Sequence, residues 1–140
     1  MNRHNVRRGA LTVFAALLVA LAAGCGDAPK HKVVPVEGTI AFADGRKLPA
    51  GTRLLFNPGD GTAGAATAVA AEDGTFKAVR LGGRAGVEVG KYTVLLAAPE
   101  KDNGAFFRML PKDYYDGGVF AVQVREGMPP VELKVVVRRR

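Results

Sequence analysis

The chain has 140 residues, and its 48% hydrophobic and 24% charged content is typical of a single globular domain. Serine is absent, and there are one cysteine and two histidines, which excludes a serine nucleophile, an internal disulfide and a zinc site built from cysteine and histidine. The formal net charge of +7 resides in the two ends of the chain, because residues 33–137 hold 12 basic and 12 acidic side chains. This neutral body argues against nucleic-acid binding.

The first 25 residues have the parts of a secretion signal. Residues 1–9 are polar and basic, residues 10–23 form an apolar run interrupted only by Thr12, and Gly24 follows. The 14 residues of the apolar run are too few to cross a hydrocarbon core of about 30 Å comfortably. The pattern predicts an exported protein from which residues 1–24 are removed.

The cleavage region carries a more specific pattern. Leu21-Ala22-Ala23-Gly24-Cys25 resembles the lipobox of bacterial lipoproteins, although the leucine lies four residues before the cysteine instead of three. The resemblance implies that diacylglycerol is attached to the Cys25 thiol, that cleavage falls between Gly24 and Cys25, and that the new amino terminus receives an acyl chain such as palmitate. Two alternatives stay open: an ordinary signal peptide cut near Ala23, and an N-terminal transmembrane anchor.

Residues 25–32 are expected to be a polar tether between the lipid and the domain. His31 is read as a solvated linker residue, because metal-ligating neighbours are absent nearby in the sequence. Gly26 occupies the position at which an aspartate retains enteric lipoproteins at the inner membrane, so the resemblance is compatible with an outer-membrane location. Residues 138–140 are expected to be a basic, solvated tail.

From residue 33 onward, apolar and polar residues alternate, which is the period of a strand and not of a helix. Turn residues such as Asp44-Gly45 separate the alternating segments. We therefore expect one antiparallel β-sandwich of about seven strands within residues 33–137. The strands are expected at residues 33–42, 53–57, 65–71, 75–80, 91–98, 120–124 and 131–137, with a turn at Glu126–Pro130 between the last two.

The same alternation predicts the core and the connections. Five large side chains are expected to face inward: Phe56, Phe76, Tyr92, Val122 and Leu133. Residues 82–90 are expected to form a glycine-rich loop. Residues 99–118 are expected to be irregular, with one helical turn around residues 106–110.

The order of several short motifs resembles a known family. The motifs are Val33–Ile40, Asp44–Leu48, Gly51–Pro58, Glu72–Phe76, Gly90–Val94 and Pro111–Tyr115. Together they resemble the transthyretin-like, carboxypeptidase-regulatory-like domain found in small lipoproteins of planctomycete-type bacteria. The resemblance covers residues 33–137 and implies a prealbumin-like sandwich. It implies an accessory, adhesive or structural role and no defined activity.

Two enzymatic relatives of that fold need residues that this chain lacks. Transthyretin-like hydrolases use histidines and a C-terminal Tyr-Arg-Gly-Ser, whereas this sequence has no histidine after His31 and ends in three arginines. A pilin-type isopeptide bond would need Asn or Asp in the last strand, and residues 131–137 contain neither. We therefore expect that the protein is not an enzyme and has no cofactor.

Loop aspartates and clustered aromatic residues are the other candidate binding groups. The aspartates are typical of tight turns, and without Asp-x-Asp spacing we expect turns and no metal site. The aromatic residues are expected to fasten a loop onto the core, and a glycan-binding shelf is the alternative. The aspartates are Asp44, Asp60, Asp73, Asp113 and Asp116, and the aromatic residues are Phe106, Phe107, Tyr114, Tyr115 and Phe120.

These observations predict a membrane-anchored envelope lipoprotein that carries a non-catalytic interaction or structural module. It would be lipid-anchored at Cys25 to a cell membrane and would face the periplasm or the cell surface. Its partner would be an envelope protein or a glycan. The alternative is an extracellular module that binds a glycan or another ligand.

Overall fold

A computed structural model describes residues 29–102 and 104–137, and these residues form a predominantly β fold. The prediction of an all-β domain is confirmed. In this part of the chain no helix is long and apolar enough to cross a membrane. The described strands are β1 (Val33–Val34), β2 (Val36–Phe42), β3 (Arg53–Pro58), β4 (Ala66–Val69), β5 (Thr75–Arg80), β6 (Arg84–Ala85), β7 (Val87–Glu88), β8 (Gly90–Ala97), β9 (Phe120–Val124) and β10 (Val131–Val135).

The seven longer strands form where the alternation of apolar and polar residues in the sequence predicts them. Along β2, β5 and β8, buried and more exposed positions follow each other with a period of two. The five side chains predicted to face inward are all buried in one core, which confirms the predicted faces of their strands: Phe56, Phe76, Tyr92, Val122 and Leu133.

Strand β5 pairs with two of the longer strands, β2 and β4, and divides the longer strands into two groups. Its first four residues pair with β2, in the register Thr39↔Thr75 to Val36↔Ala78. Its last two residues pair with β4 through Val79 and Arg80. The order of the seven longer strands is β10-β2-β5-β4-β3-β8-β9, so β9 and β10 lie at opposite edges.

The pairing of β10 corrects the antiparallel expectation. β10 lies parallel to β2, from Val131↔Gly38 to Val135↔Phe42. β9 instead pairs antiparallel with β8, so residues 125–130 connect two edges and do not close a hairpin. A connection this short spans at most about 25 Å, which requires the two edges of the sheet to curl toward each other.

The connections contain more regular structure than the sequence predicts. Helix α1 (Ala105–Met109) confirms the predicted helical turn, and helix α2 (Asp113–Asp116) follows it. The predicted glycine-rich loop contains β6 and β7, which pair with β5 and β1 respectively. Two-residue strands are too short for alternation to reveal them.

Candidate functional site

The end of the domain nearest the N-terminal segment is where the predicted anchor would meet the fold. We call it the proximal end and define it as residues 29–33, 59–64, 80–91 and 125–127. Gly24 and Cys25 lie outside the described residues. The two residues before β1 contact the domain: the His31 Nε2 lies 3.1 Å from the Thr62 carbonyl oxygen, and Lys32 forms an ion pair with Glu126.

Main-chain hydrogen bonds also fasten this end. The N–H of Val89 donates to the carbonyl of Lys32 at 2.8 Å, beside the antiparallel pairing of β1 with β7. The domain therefore holds the chain from Lys32 onward, and His31, although exposed, has a contact with Thr62. His31 and Lys32, the last two residues of the predicted tether, therefore contact the domain.

Buried polar groups of Tyr92 and Glu88 lie next to this attachment. The Tyr92 hydroxyl lies 2.9 Å from the carbonyl oxygen of Glu88 and 3.1 Å from that of Gly64, so it ties the loop before β4 to β7. The Glu88 side chain is 4% exposed, and its Oε2 has no hydrogen-bond partner among the described residues. The sequence analysis missed Glu88, because alternation does not extend through a two-residue strand.

Burial, and secondarily the negative charge of Glu88, raises the pKa of Tyr92 to about 12. The folded protein therefore holds the phenolic proton more tightly than the unfolded chain, whose tyrosine pKa is about 10. This contribution to stability is complete below pH 10 and is lost as the pH rises toward 12. We expect the urea-unfolding free energy to fall between pH 10 and pH 12 more steeply in the native protein than in Tyr92→Phe. Equal pH dependence in the two proteins would contradict the assignment.

The proximal end carries more positive than negative charge. Lys30, Arg84, Lys91 and Arg125 are exposed basic residues there. With Lys32 and Arg80, the proximal end has six basic side chains against three acidic ones, namely Asp60, Glu88 and Glu126. The neutral balance of residues 33–137 conceals this excess, which becomes visible only when the fold brings separate segments together.

Three of the five candidate aspartates have the predicted turn role. Asp44, Asp60 and Asp73 each accept a hydrogen bond from the main-chain N–H two residues later, at 3.1, 3.0 and 2.9 Å. Hydrogen bonds from the Thr62 and Thr75 hydroxyls, together with these N–H groups, lower the pKa of Asp60 and Asp73. The pKa of Asp44 is lowered by the N–H and guanidinium of Arg46.

The remaining two aspartates lie at helix α2. Asp113 begins the helix, and Asp116 forms an ion pair with Lys112. Across residues 29–102 and 104–137, no three His, Cys, Asp or Glu side chains are grouped so that they could hold a metal ion.

The aromatic residues of the long connection mainly fasten it to the core. Phe106 and Tyr114 are buried, and the Tyr114 hydroxyl accepts a hydrogen bond of 2.8 Å from the N–H of Val136 beyond β10. Phe107 is 51% exposed and contacts Tyr115 edge to face, with ring centroids 5.1 Å apart. The exposed aromatic surface in this cluster is therefore centred on Phe107.

An open groove of about 590 Å³ lies between β2, β4 and β5 on the outer side of the sheet. Val69 and Pro130 line it, and an ion pair of 3.7 Å between Glu37 and Lys77 lies beside it. Its charged side chains are thus paired with each other.

Comparisons of the chain with family models, curated proteins and solved structures found no match.

Proposed function

We propose that this protein is an exported lipoprotein whose acylated Cys25 anchors a non-catalytic β-sandwich to a bacterial cell membrane. The domain would act as a structural or interaction module of the envelope. The observation that carries the proposal is the position of the chain's single cysteine, directly after Leu21-Ala22-Ala23-Gly24 and a 14-residue apolar run. Two or three acyl chains provide the stable attachment that a single chain does not.

The arrangement of the strands supports a sandwich of the transthyretin-like type. β5 is shared between a group with β2 and β10 and a group with β4, β3, β8 and β9. Side chains from both groups belong to one buried cluster, including Leu133 from the first and Val94 from the second. Two groups of strands around a common core form the layers of a sandwich.

The residues of the domain support a binding or structural role better than catalysis. The chain has no serine, and the described histidine, His31, contacts a main-chain carbonyl. Buried polar side chains in the described residues are Thr52 and Glu88, and Thr52 donates to the Pro49 carbonyl at 2.6 Å. A nucleophile, base and orienting group in mutual contact would be needed for nucleophilic catalysis.

The decisive experiment is expression of Cys25→Ala in a bacterium that processes lipoproteins. Because the thiol is the group to which the lipid is attached, we expect this variant to accumulate as an unprocessed precursor without radiolabelled palmitate. Ala22→Leu is the matched control, since it places leucine three residues before the cysteine and should be processed at least as fast as the native chain. Normal cleavage and labelling of Cys25→Ala would contradict the proposal.

Phe107 favours glycan binding as a second candidate function. Its exposed ring, supported by Tyr115, offers a face on which a sugar ring can stack. Retention on a polysaccharide array that is abolished in Phe107→Ala would favour this function. Equal retention of the native protein and the variant would argue against a role for this surface.

A further inference from the structure

The length of the chain between the anchor and the domain limits how far the proximal end can lie from the membrane. This step depends on the proposed lipidation of Cys25. Six peptide units separate Cys25 from His31, which contacts the Thr62 carbonyl, and six units span at most about 20 Å. The lipid attachment point therefore keeps the proximal end close to the headgroup layer.

The tip of the β5–β6 hairpin lies at this end and has an unusual composition for an exposed turn. Its sequence is Arg80-Leu81-Gly82-Gly83-Arg84, and Leu81 is 67% exposed. This is the highest exposed fraction among the large hydrophobic side chains of the described residues. The turn thus presents one aliphatic side chain close to the exposed Arg84, whereas Arg80 is half-buried and its Nε is enclosed by the protein.

The hairpin is held in position by main-chain pairing. Arg80 pairs with Arg84, and Val79 forms a bridge with Gly86 below the tip. Gly82 and Gly83 have φ values of 93° and 79°, a conformation that glycine adopts at little cost and that closes the turn tightly. The tip is a short, fastened projection, so Leu81 is presented at a fixed place.

The charge around the tip complements an anionic membrane surface. Lys91 and Arg125 are exposed at the same end, where β8 pairs with β9. Anionic headgroups attract basic segments that lie within a Debye length of them. An aliphatic side chain beside basic groups is the composition that binds the interface between headgroups and acyl chains.

We propose that the β5–β6 tip is a second membrane contact, in which Leu81 enters the interface of an anionic bilayer while Arg84 binds lipid phosphate groups. Together with the lipid at Cys25, this contact fixes the orientation of the domain. Its opposite end, which carries helices α1 and α2, then faces away from the membrane.

Tryptophan fluorescence can test this contact, because the chain has no tryptophan of its own. The full chain, as exported, is reconstituted in vesicles of phosphatidylcholine and phosphatidylglycerol, with and without brominated acyl chains. We expect Leu81→Trp to emit at shorter wavelength than in buffer and to be quenched by the brominated lipid. Phe107→Trp is the matched control: an exposed aromatic residue on α1, it should show neither change.

Charge removal and lipid composition test the arginine contribution. Adding Arg84→Gln to Leu81→Trp should lower the equilibrium constant for insertion of the tip, measured by quenching, about fivefold. One basic residue near an anionic surface contributes roughly that factor. Vesicles of phosphatidylcholine alone should lower this constant further, because they remove the charge attraction for every basic residue of the tip.

Two outcomes would overturn the inference. One is no quenching of the tryptophan at position 81, and the other is quenching equal to that at position 107. Mass spectrometry of the peptide containing Cys25 reports separately on lipidation. A lipidated chain with an unquenched tip therefore refutes this contact alone, whereas an unlipidated chain refutes the proposed anchor.

Discussion

Replacement of Phe56 by alanine is expected to lower the free energy of unfolding by about 3–5 kcal/mol, because the ring is fully buried and its removal leaves a cavity. The ring centroid lies 6.3 Å from that of Phe76 and 6.3 Å from that of Tyr92, so the cavity would open at the centre of the aromatic core. A domain of this size is stable by only about 5–15 kcal/mol. Phe56→Ala should therefore be close to unfolding at 37 °C.

The neighbouring strand provides the matched comparison for this prediction. Phe76→Ala should be destabilising by a similar amount, whereas Thr75→Ala, which loses an exposed hydrogen bond to Asp73, and Lys77→Ala should each change the free energy of unfolding by less than about 1 kcal/mol. Phe76 is 3% exposed, and both neighbours point outward. Urea unfolding followed by circular dichroism measures all four variants. A larger loss for Lys77→Ala than for Phe76→Ala would contradict the register of β5.

The sequence predicts the faces of the strands well because a face depends on local alternation. One side of β5 is buried and the other is exposed, so Thr75, Phe76 and Lys77 already reveal the inward direction. The same reasoning applies to the turns, since an aspartate such as Asp73 bonds to a main-chain N–H only two residues away.

The partner of a strand is less predictable, because it depends on contacts distant in sequence. The short Glu126–Pro130 segment suggests a hairpin between β9 and β10, yet β10 pairs with β2, more than 90 residues earlier. The alternation of Leu133 and Val135 is the same in either arrangement. Local patterns therefore predict that β10 is a strand and which face is buried, but not its neighbour.

The candidate anchor can be predicted from local sequence, whereas the candidate membrane contact depends on residues that are distant in sequence. Cys25 follows from a contiguous pattern and needs no structure. The β5–β6 tip can be identified only from the fold, because the sequence does not distinguish the exposed Leu81 from the buried apolar residues. Its significance depends on lying at the same end as His31, which pairing and loop contacts establish from separate segments.

The parallel pairing of β10 leads to a second prediction of large effect, at Gly38. A Cβ at this position would lie 2.0 Å from the carbonyl oxygen of Val131 and 2.9 Å from the Cζ of Phe76. The φ of Gly38 lies outside the left-handed region, so alanine is compatible with the backbone and the obstacle is steric. We expect Gly38→Ala to lower the free energy of unfolding by about 3 kcal/mol or more, because the neighbour that must move is backbone.

The strands that lose protection in Gly38→Ala test whether a steric clash with β10 causes the loss of stability. If the added methyl group displaces β10, amide hydrogen exchange should accelerate at Val131–Val135 more than in β8, which lies in the other group of strands. Gly59→Ala is the control, because its nearest contact would be the Lys91 carbonyl oxygen at an ordinary 3.6 Å. That change should alter stability by no more than about 1 kcal/mol in either direction. Gly38→Ala as stable as Gly59→Ala would refute the close approach of Val131 to Gly38, and with it the parallel register of β2 and β10.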